Sequence, residues 1–532
     1  MRKTKKLSSN AKISTYSKKI THTHNPFSIF NMTRNVVLVS IMVVAMNAKG
    51  LRLSGGNAAE YWVYIDEELE ALNYKEHLED KLQLNLANEE IAVRGIFFIS
   101  DPSLPNPNRL SHIDYSIQYT KSPVSILYGR FHETFARGLV LNQYIDEDFK
   151  LDNSLQGLKV DLDYYKSLLT LLAGHPRNMF FEENTYRIKN ANDSTAQIRG
   201  VDFRTKLVPM TTFGASYVRI NTEIDLTPKS FTELFGGSID FKSGPFDAYL
   251  EYARHLGAHP GVGGRLDGYG VLFSAGLALP GLGISFQAMD YDSIGVGGPG
   301  YRYNEPVTPI KSGTSVNRGT DEIGFGASIL FSLSDYIAFE IDNNKISTHD
   351  TTLSRIEQMF VTNESMDAVI EQAIEIIAYP RYELEITGGI EKLVKQGIEA
   401  PIETKTETKP YFETIYDFGT WFIEAAYEHN FTSADTSNYY DQAIAVAIGK
   451  PELFILTLRY ERRNRAPQWL VDLGKIDDDT VWPLAELSLD LTARHNLRIR
   501  AGAEKGGLVC SGGVCRFEEP FKGVKLVLTS IF

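Results

Sequence analysis

The sequence predicts an all-β fold, a transmembrane antiparallel up-and-down β-barrel of about 24 strands, with roughly 20–26 allowed at about 20 residues per strand and connection. Three observations carry that prediction. Apolar and polar residues alternate with a period of two over runs long enough for a tilted strand to cross a bilayer. Beyond the first fifty residues no apolar run reaches the roughly 18 residues that a spanning helix needs, so a membrane-resident chain must cross with strands. Connections between the alternating runs are short and long by turns. The composition agrees, with 27 Tyr, 29 Phe and 42 Gly but only 2 Cys in 532 residues, which is aromatic-rich strand and turn chemistry.

In chain order, the first element is the apolar run Val36 to Met46, preceded by Arg34 and a Lys-rich leader. It is too short to span a hydrocarbon core of about 30 Å but matches the apolar centre of a secretory signal. Cleavage is expected near Ala48-Lys49-Gly50, with Ala45 and Ala48 leaving neighbouring choices. Met32-Thr33-Arg34-Asn35 reads as a more ordinary signal start than Met1, making residues 1–31 an upstream extension. The expected organisation is therefore leader and signal over 1–50 and one barrel over 51–532, with three strands or a partly lumenal segment across 60–66 and 80–99.

The strand grammar then repeats. Ile113, Tyr115, Ile117 and Tyr119 alternate with Asp114, Ser116 and Gln118, and Leu282, Ile284 and Phe286 with Gly283, Ser285 and Gln287. Ile323, Phe325, Ala327, Ile329 and Phe331 form one face of a strand that turns at Leu333-Ser334. Its partner places Ile337, Phe339 and Ile341 against Ala338, Glu340 and Asp342. Near the end, Leu487, Leu489 and Leu491 alternate with Glu486, Ser488 and Asp490, and Leu497, Ile499 and Ala501 with Arg498, Arg500 and Gly502. One face is apolar and the other charged, and an apolar outside with a polar inside is the signature of a membrane barrel.

Tight turns are expected at Ser243-Gly244-Pro245, Leu279-Pro280-Gly281, Leu333-Ser334 and Gly449-Lys450-Pro451, and long polar connections over 175–194, 293–321 and 464–480. Short periplasmic turns and long external loops are the habit of outer-membrane barrels, which places both mature termini in the periplasm. One segment departs from the period of two. Ser365 to Ile377 carries Met366, Val369, Ile370, Ala373, Ile374 and Ile377 at helical spacing, predicting a short helix in an external loop, over the mouth or inside the lumen.

The formal net charge of -13 argues against a nucleic-acid partner, which would meet a basic surface. The only two cysteines, Cys510 and Cys515, flank Ser511-Gly512-Gly513-Val514. In an oxidising compartment such a loop favours a disulfide. Zinc is the alternative, but further ligands at metal spacing are missing. The chain ends in a strand with Val524, Leu526, Leu528 and Phe532 at alternate positions, the pattern of a barrel insertion signal. The expected partners are outer-membrane lipid, the barrel assembly machinery and surface or periplasmic proteins.

The segment Tyr128 to Leu139 concentrates Arg130 and Arg137 among glycines and aromatics, and is followed by Asp152-Asn153-Ser154. Together with the Cys510 to Arg516 run and the terminal strand, it resembles an uncharacterised family of large outer-membrane barrels, distantly similar to alginate-export-type channels. The resemblance implies a fold and no agreed substrate. Arg130 and Arg137 have two readings, a constriction that holds an anion by bidentate hydrogen bonds or an ion-pair ladder with Asp161, Asp163, Glu340 and Asp342. The expected pore wall comprises Arg130, Arg137, Glu340, Asp342, Glu486, Asp490, Arg498 and Arg500.

No hydrolase elbow, zinc-protease helix or phosphate loop occurs, and His255 and His259 read as loop histidines, so no enzyme activity, cofactor or metal is expected. The functional expectation is an outer-membrane channel for passive or selective passage of small polar solutes. The alternative is a non-conducting assembly or secretion-associated barrel that binds proteins through its external loops. A plugged energy-coupled transporter is disfavoured because the length leaves little for a separate plug of roughly 130 residues or more.

Overall fold

A computed structural model describes residues 50–532 apart from 66–75, 102–109, 147–150, 183–186, 193–195, 223–229, 260–263, 299–300, 312, 399–402, 436, 473–475, 477–478, 512–513 and 519. The expected signal segment, Val36 to Met46, lies outside the described residues. Twenty-four antiparallel strands close into one barrel. In chain order they begin β1 (Arg52–Tyr64), β2 (Glu76–Ala87), β3 (Ile91–Asp101), β4 (Leu110–Lys121), β5 (Val124–Phe131), β6 (Leu155–Tyr164), β7 (Ser167–Glu182) and β8 (Gln197–Val208). They continue as β9 (Thr211–Thr222), β10 (Ser230–Ser243), β11 (Phe246–His259), β12 (Gly264–Leu279), β13 (Leu282–Asp292), β14 (Asp321–Ser334), β15 (Ile337–Ser347) and β16 (Ala368–Arg381). The last are β17 (Leu384–Gln396), β18 (Thr404–Phe418), β19 (Trp421–Ala434), β20 (Ser437–Lys450), β21 (Phe454–Arg463), β22 (Val481–Thr492), β23 (His495–Glu504) and β24 (Phe521–Ile531).

Each strand pairs with its sequence neighbours, so the period of two becomes an inside and an outside. Ile113, Tyr115, Ile117 and Tyr119 on β4 are exposed outward while Asp114 is buried inward. Ile284, Ile329, Ile341, Ile374 and Ile390 lie on the same outer wall, in or near register across β13 to β17. An apolar outer wall on a closed sheet is the surface that hydrocarbon accepts, because every backbone donor is paired within the sheet. Tight turns at Gly244-Pro245 and Pro280-Gly281 share one end with both chain ends of the barrel, as expected.

Three local expectations are corrected, the first being that His255 and His259, read as loop histidines, are residues of strand β11 paired with β12. Leu333 and Ser334 belong to β14, and the turn is Asp335-Tyr336. The helix predicted over Ser365 to Ile377 is strand β16 from Ala368 onward, paired in register with β15 and β17. Its apolar residues satisfy both periodicities, since Ile370, Ile374 and Ile376 also alternate with Glu371 and Glu375. Neighbouring strand edges decide between them, because an unpaired gap there would leave two ladders unsatisfied. The helices that do form among the described residues are short, α1 (Arg355–Phe360) and α2 (Gln468–Asp472), both in connections between strands.

The barrel closes where β24 meets β1, with Tyr61 opposite Leu526 and Ala59 opposite Leu528. Leu526 and Leu528 are exposed on the outer wall. Phe532 completes the seam: its carbonyl accepts from Gly55 N at 2.8 Å and its N–H donates to Gly55 O at 3.0 Å. A Cβ on Gly55 would stand 2.8 Å from the Phe532 ring and 2.5 Å from the Gln83 carbonyl oxygen, so only glycine admits both. Gly55→Val should therefore cost about 1–3 kcal/mol of overpacking strain at the seam, seen as a lower urea midpoint of the refolded barrel, whereas Gly283→Ala, whose Cβ would meet nothing nearer than 3.6 Å, should leave the midpoint in place.

The connection 348–367 folds back over the outer wall rather than over the mouth. Its first turn is fixed by His349, whose ring reaches Asp290 of β13 at 3.1 Å and Asp321 of β14. Burial lowers the His349 pKa, but hydrogen bonds to the two carboxylates outweigh it and leave the value raised. A raised folded value means that the clasp contributes fully below about pH 6.5 and fades as pH climbs through the folded pKa. Amide exchange across 348–367, corrected for intrinsic rates, should quicken above that range in the native chain. In His349→Gln the pH step should vanish.

Candidate functional site in the lumen

Two connections turn inward. One joins β5 to β6 (132–154) and carries a small ribbon, Glu133–Phe135 with Leu141–Gln143. The other joins β13 to β14 (293–320). Phe135, Leu139, Val140 and Leu141 of the first and Ile294, Tyr303 and Ile310 of the second form one apolar core with inward residues of the wall, among them Leu172, Ile198, Val218, Leu234, Leu272 and Met289. Fully burying an aliphatic side chain is worth about 1.5–3 kcal/mol, so a dozen of them hold the loops firmly. The wall makes room with glycines: a Cβ on Gly200 would meet the Phe135 ring at 2.9 Å, and one on Gly236 would meet Val140 at 2.8 Å.

The loops also satisfy each other's polar backbone. Asn142 N donates to Tyr303 O at 2.9 Å, and Asn304 donates through its side chain to Leu139 O at 2.7 Å. Asn153 does the same to Arg302 O at 2.8 Å. Buried carboxylates pin both loops. Glu251, 1% exposed on the inner face of β11, accepts from Arg137 N at 3.1 Å and from Tyr249 Oη at 2.6 Å. Glu322 of β14 accepts from the amides of Val316, Asn317 and Gly319 at 2.7, 2.9 and 2.8 Å. Within the second loop, burial pushes the Glu305 carboxyl up, opposed by Arg318 at 3.1 Å.

These loops change what the expected wall residues do. By strand alternation Glu340, Asp342, Glu486, Asp490, Arg498 and Arg500 take inward positions, and Arg137 lies on the first inward loop. Arg130 is 8% exposed and saturated by Asp114, Asp152 and Ser154, so the ladder partners are not Asp161, Asp163, Glu340 or Asp342. Those last two instead share Lys311 of the second loop, at 2.6 Å each. Arg137 stacks on the Tyr249 ring at 3.9 Å and donates to Ser274 Oγ at 2.7 Å. Glu486 is paired with Arg500 and, at 3.6 Å, with Arg498. Asp490 accepts from Asn496 at 2.8 Å.

The opposite side of the lumen is polar. Most of its carboxylates are compensated: Glu391 by Lys409 at 2.7 Å, Asp441 by Arg463 and Lys505 at 2.7 Å each, and Glu504 by Lys525 at 2.5 Å. One patch differs. Glu413 of β18 lies within electrostatic reach of Glu375, Glu385, Glu424 and Glu428, all on inward positions of β16, β17 and β19. Glu385, Glu413, Glu424 and Glu428 have no ion-pair partner among the described residues. Sequence reading missed this patch, although glutamates spaced by even numbers along Glu385, Glu391, Glu407 and Glu413 signalled it.

The described residues offer no group of three or more His, Cys, Asp or Glu placed to hold a metal. Cys510 and Cys515 stand directly opposite each other in the ribbon Gly507–Ser511 with Val514–Glu518. Residues 32–298 match the model of a family described as one of unknown function, DUF6029. The chain belongs to this family. A search of curated proteins finds no match. Among solved structures this DUF6029 member is similar to the siderophore receptor PirA from Pseudomonas aeruginosa, with 8% identity over 90% of this chain and 80% of that one and a TM-score of 0.46. It is also similar to the P pilus usher PapC translocation pore, with 8% identity over 90% and 98% and a TM-score of 0.38. OccK5 from Pseudomonas aeruginosa shares 12% identity over 78% and 98%, with a TM-score of 0.35. These likenesses describe the large barrel and nothing finer.

The inward loops predict a protease phenotype. Removing the Glu251 carboxylate leaves buried amides unsatisfied at about 1–3 kcal/mol, which raises the released population of the first loop roughly tenfold. Trypsin should then cut after Arg137 at least several-fold faster in Glu251→Ala than in the native barrel, with heat-resistant barrel mobility on gels unchanged.

Proposed function

We propose that this DUF6029 protein is an outer-membrane channel for small polar solutes, with its termini and tight turns facing the periplasm. Its path runs along the polar side of the lumen, opposite the apolar core of the two inward loops. The observation that carries this reading is the uncompensated patch of Glu385, Glu413, Glu424 and Glu428. A wall with fixed negative charge in a water-filled passage draws cations and repels anions. That sign argues against an anionic solute. The facing Cys510 and Cys515 fit the crosslink that an oxidising envelope compartment would form.

The test is single-channel recording of the refolded protein in planar bilayers under a salt gradient. The native chain should pass current with a cation-selective reversal potential. The triple variant Glu413→Gln, Glu424→Gln, Glu428→Gln should keep most of its conductance and lose most of that selectivity. A folded but silent barrel would overturn the channel reading and favour the protein-binding alternative, for which a lumen holding an apolar core is the supporting observation.

A further inference from the structure

The connection 348–367 is built as a fixed object on the outside of the barrel. Asp350 gathers Thr352 N and Oγ1 at 2.7 Å and Ser365 Oγ at 3.1 Å. The Gln358 side chain donates to Asp350 O at 2.6 Å and Leu353 O at 2.7 Å. Ser354 and Glu357 close a reciprocal cap at the start of α1, a pairing that satisfies two otherwise free helix amides. A segment so tied cannot fold its apolar side chains away. Yet Ile356 is 73%, Phe360 57% and Val361 49% exposed to solvent.

Their surroundings explain the exposure. Phe360 packs on Phe325 of β14, ring centroids 4.8 Å apart, and Phe325 shares the outward parity of Ile329 and Phe331. Lys345 of β15, opposite Phe325 in register and also outward, donates its ammonium to the carbonyls of Gln358 and Val361. The loop thus covers a cation on the wall and replaces the covered wall with apolar residues of its own. Beside it, at the external end, the outer wall carries Tyr252 and Tyr269, and above Tyr252 the exposed pair Arg254 and Asp267 at 2.7 Å. Aromatics followed by charges mark where a barrel's lipid band ends.

We propose that α1 is a membrane-interface element, with Ile356, Phe360 and Val361 seated in the outer leaflet as a continuation of the barrel's lipid-facing band. This occupant is favoured over a second copy or another protein by that continuity and by the masking of Lys345, a charge that only an apolar neighbour makes worth hiding. The inference rests on membrane residence of the barrel and is independent of whether the lumen conducts.

Ile356→Trp and Thr351→Trp report on it, since both native side chains are exposed and neither holds the loop together. Each refolded variant is placed in vesicles of phosphatidylcholine brominated near its carbonyls, and native emission is subtracted. The tryptophan at 356 should lose most of its emission and be blue-shifted, while that at 351 should stay unquenched. Equal, weak quenching at both positions would overturn the proposal. So would a blue-shifted but unquenched 356 in a chain that cross-links to a second copy, because that result assigns the surface to protein instead of lipid.

Discussion

The structure depends on one constraint, that a backbone immersed in hydrocarbon must pair every donor and acceptor with itself. A sheet meets it only by closing, and closure here is a contact between sequence extremes, Gly55 with Phe532. The exposed aliphatic wall, the tight turns gathered at one end and the long connections at the other all follow. Glycine at 55 is part of the same logic, because the ring of Phe532 occupies the volume a side chain would need.

Closing two dozen strands creates a lumen too wide for wall side chains alone to fill. The chain fills one side with its own connections and meets the cost of burying loop backbone in a specific way. Asn142, Asn153 and Asn304 act between the loops, and the carboxylates of Glu251 and Glu322 take up amides that no strand could pair. Inward Leu, Ile and Val on β7 to β13 are then not a violation of the polar-interior rule for large barrels. They are the receiving surface of a second, internal core.

Much of this fold was legible because period-two alternation is a local signal. Asp114 between Ile113 and Tyr115, or Arg498 and Arg500 among Leu497, Ile499 and Ala501, already announced which side was which. The inward loops were not legible, since the residues that bind Arg137 lie more than a hundred positions away, at Glu251 and Ser274. Charge pairing was hidden for the same reason: nothing near Glu340 or Asp342 in sequence points to Lys311. The stretch Ser365 to Ile377 failed differently. Its spacing fits a helix and a strand alike, and the decision came from unpaired edges on β15 and β17, which a single segment cannot display.

The internal core also limits how such a barrel can work. Withdrawing either loop would expose Leu139, Val140 or Ile294 together with their partners on the wall, and would strand Glu251 or Glu322 without the amides that satisfy them. Because the two loops hydrogen-bond to each other as well, neither can leave without weakening the other. They behave as fixed parts of the wall, in contrast to a hinged gate that swings on one attachment. On the channel reading proposed above, a solute would pass on the side of the lumen where the wall is polar. There the compensated pairs, such as Asp441 with Arg463 and Lys505, set a neutral background. Against it Glu385, Glu413, Glu424 and Glu428 on β17 to β19, without ion-pair partners among the described residues, would carry the sign of the field, which makes their positions, rather than the overall charge of the chain, the determinant of what such a channel would attract.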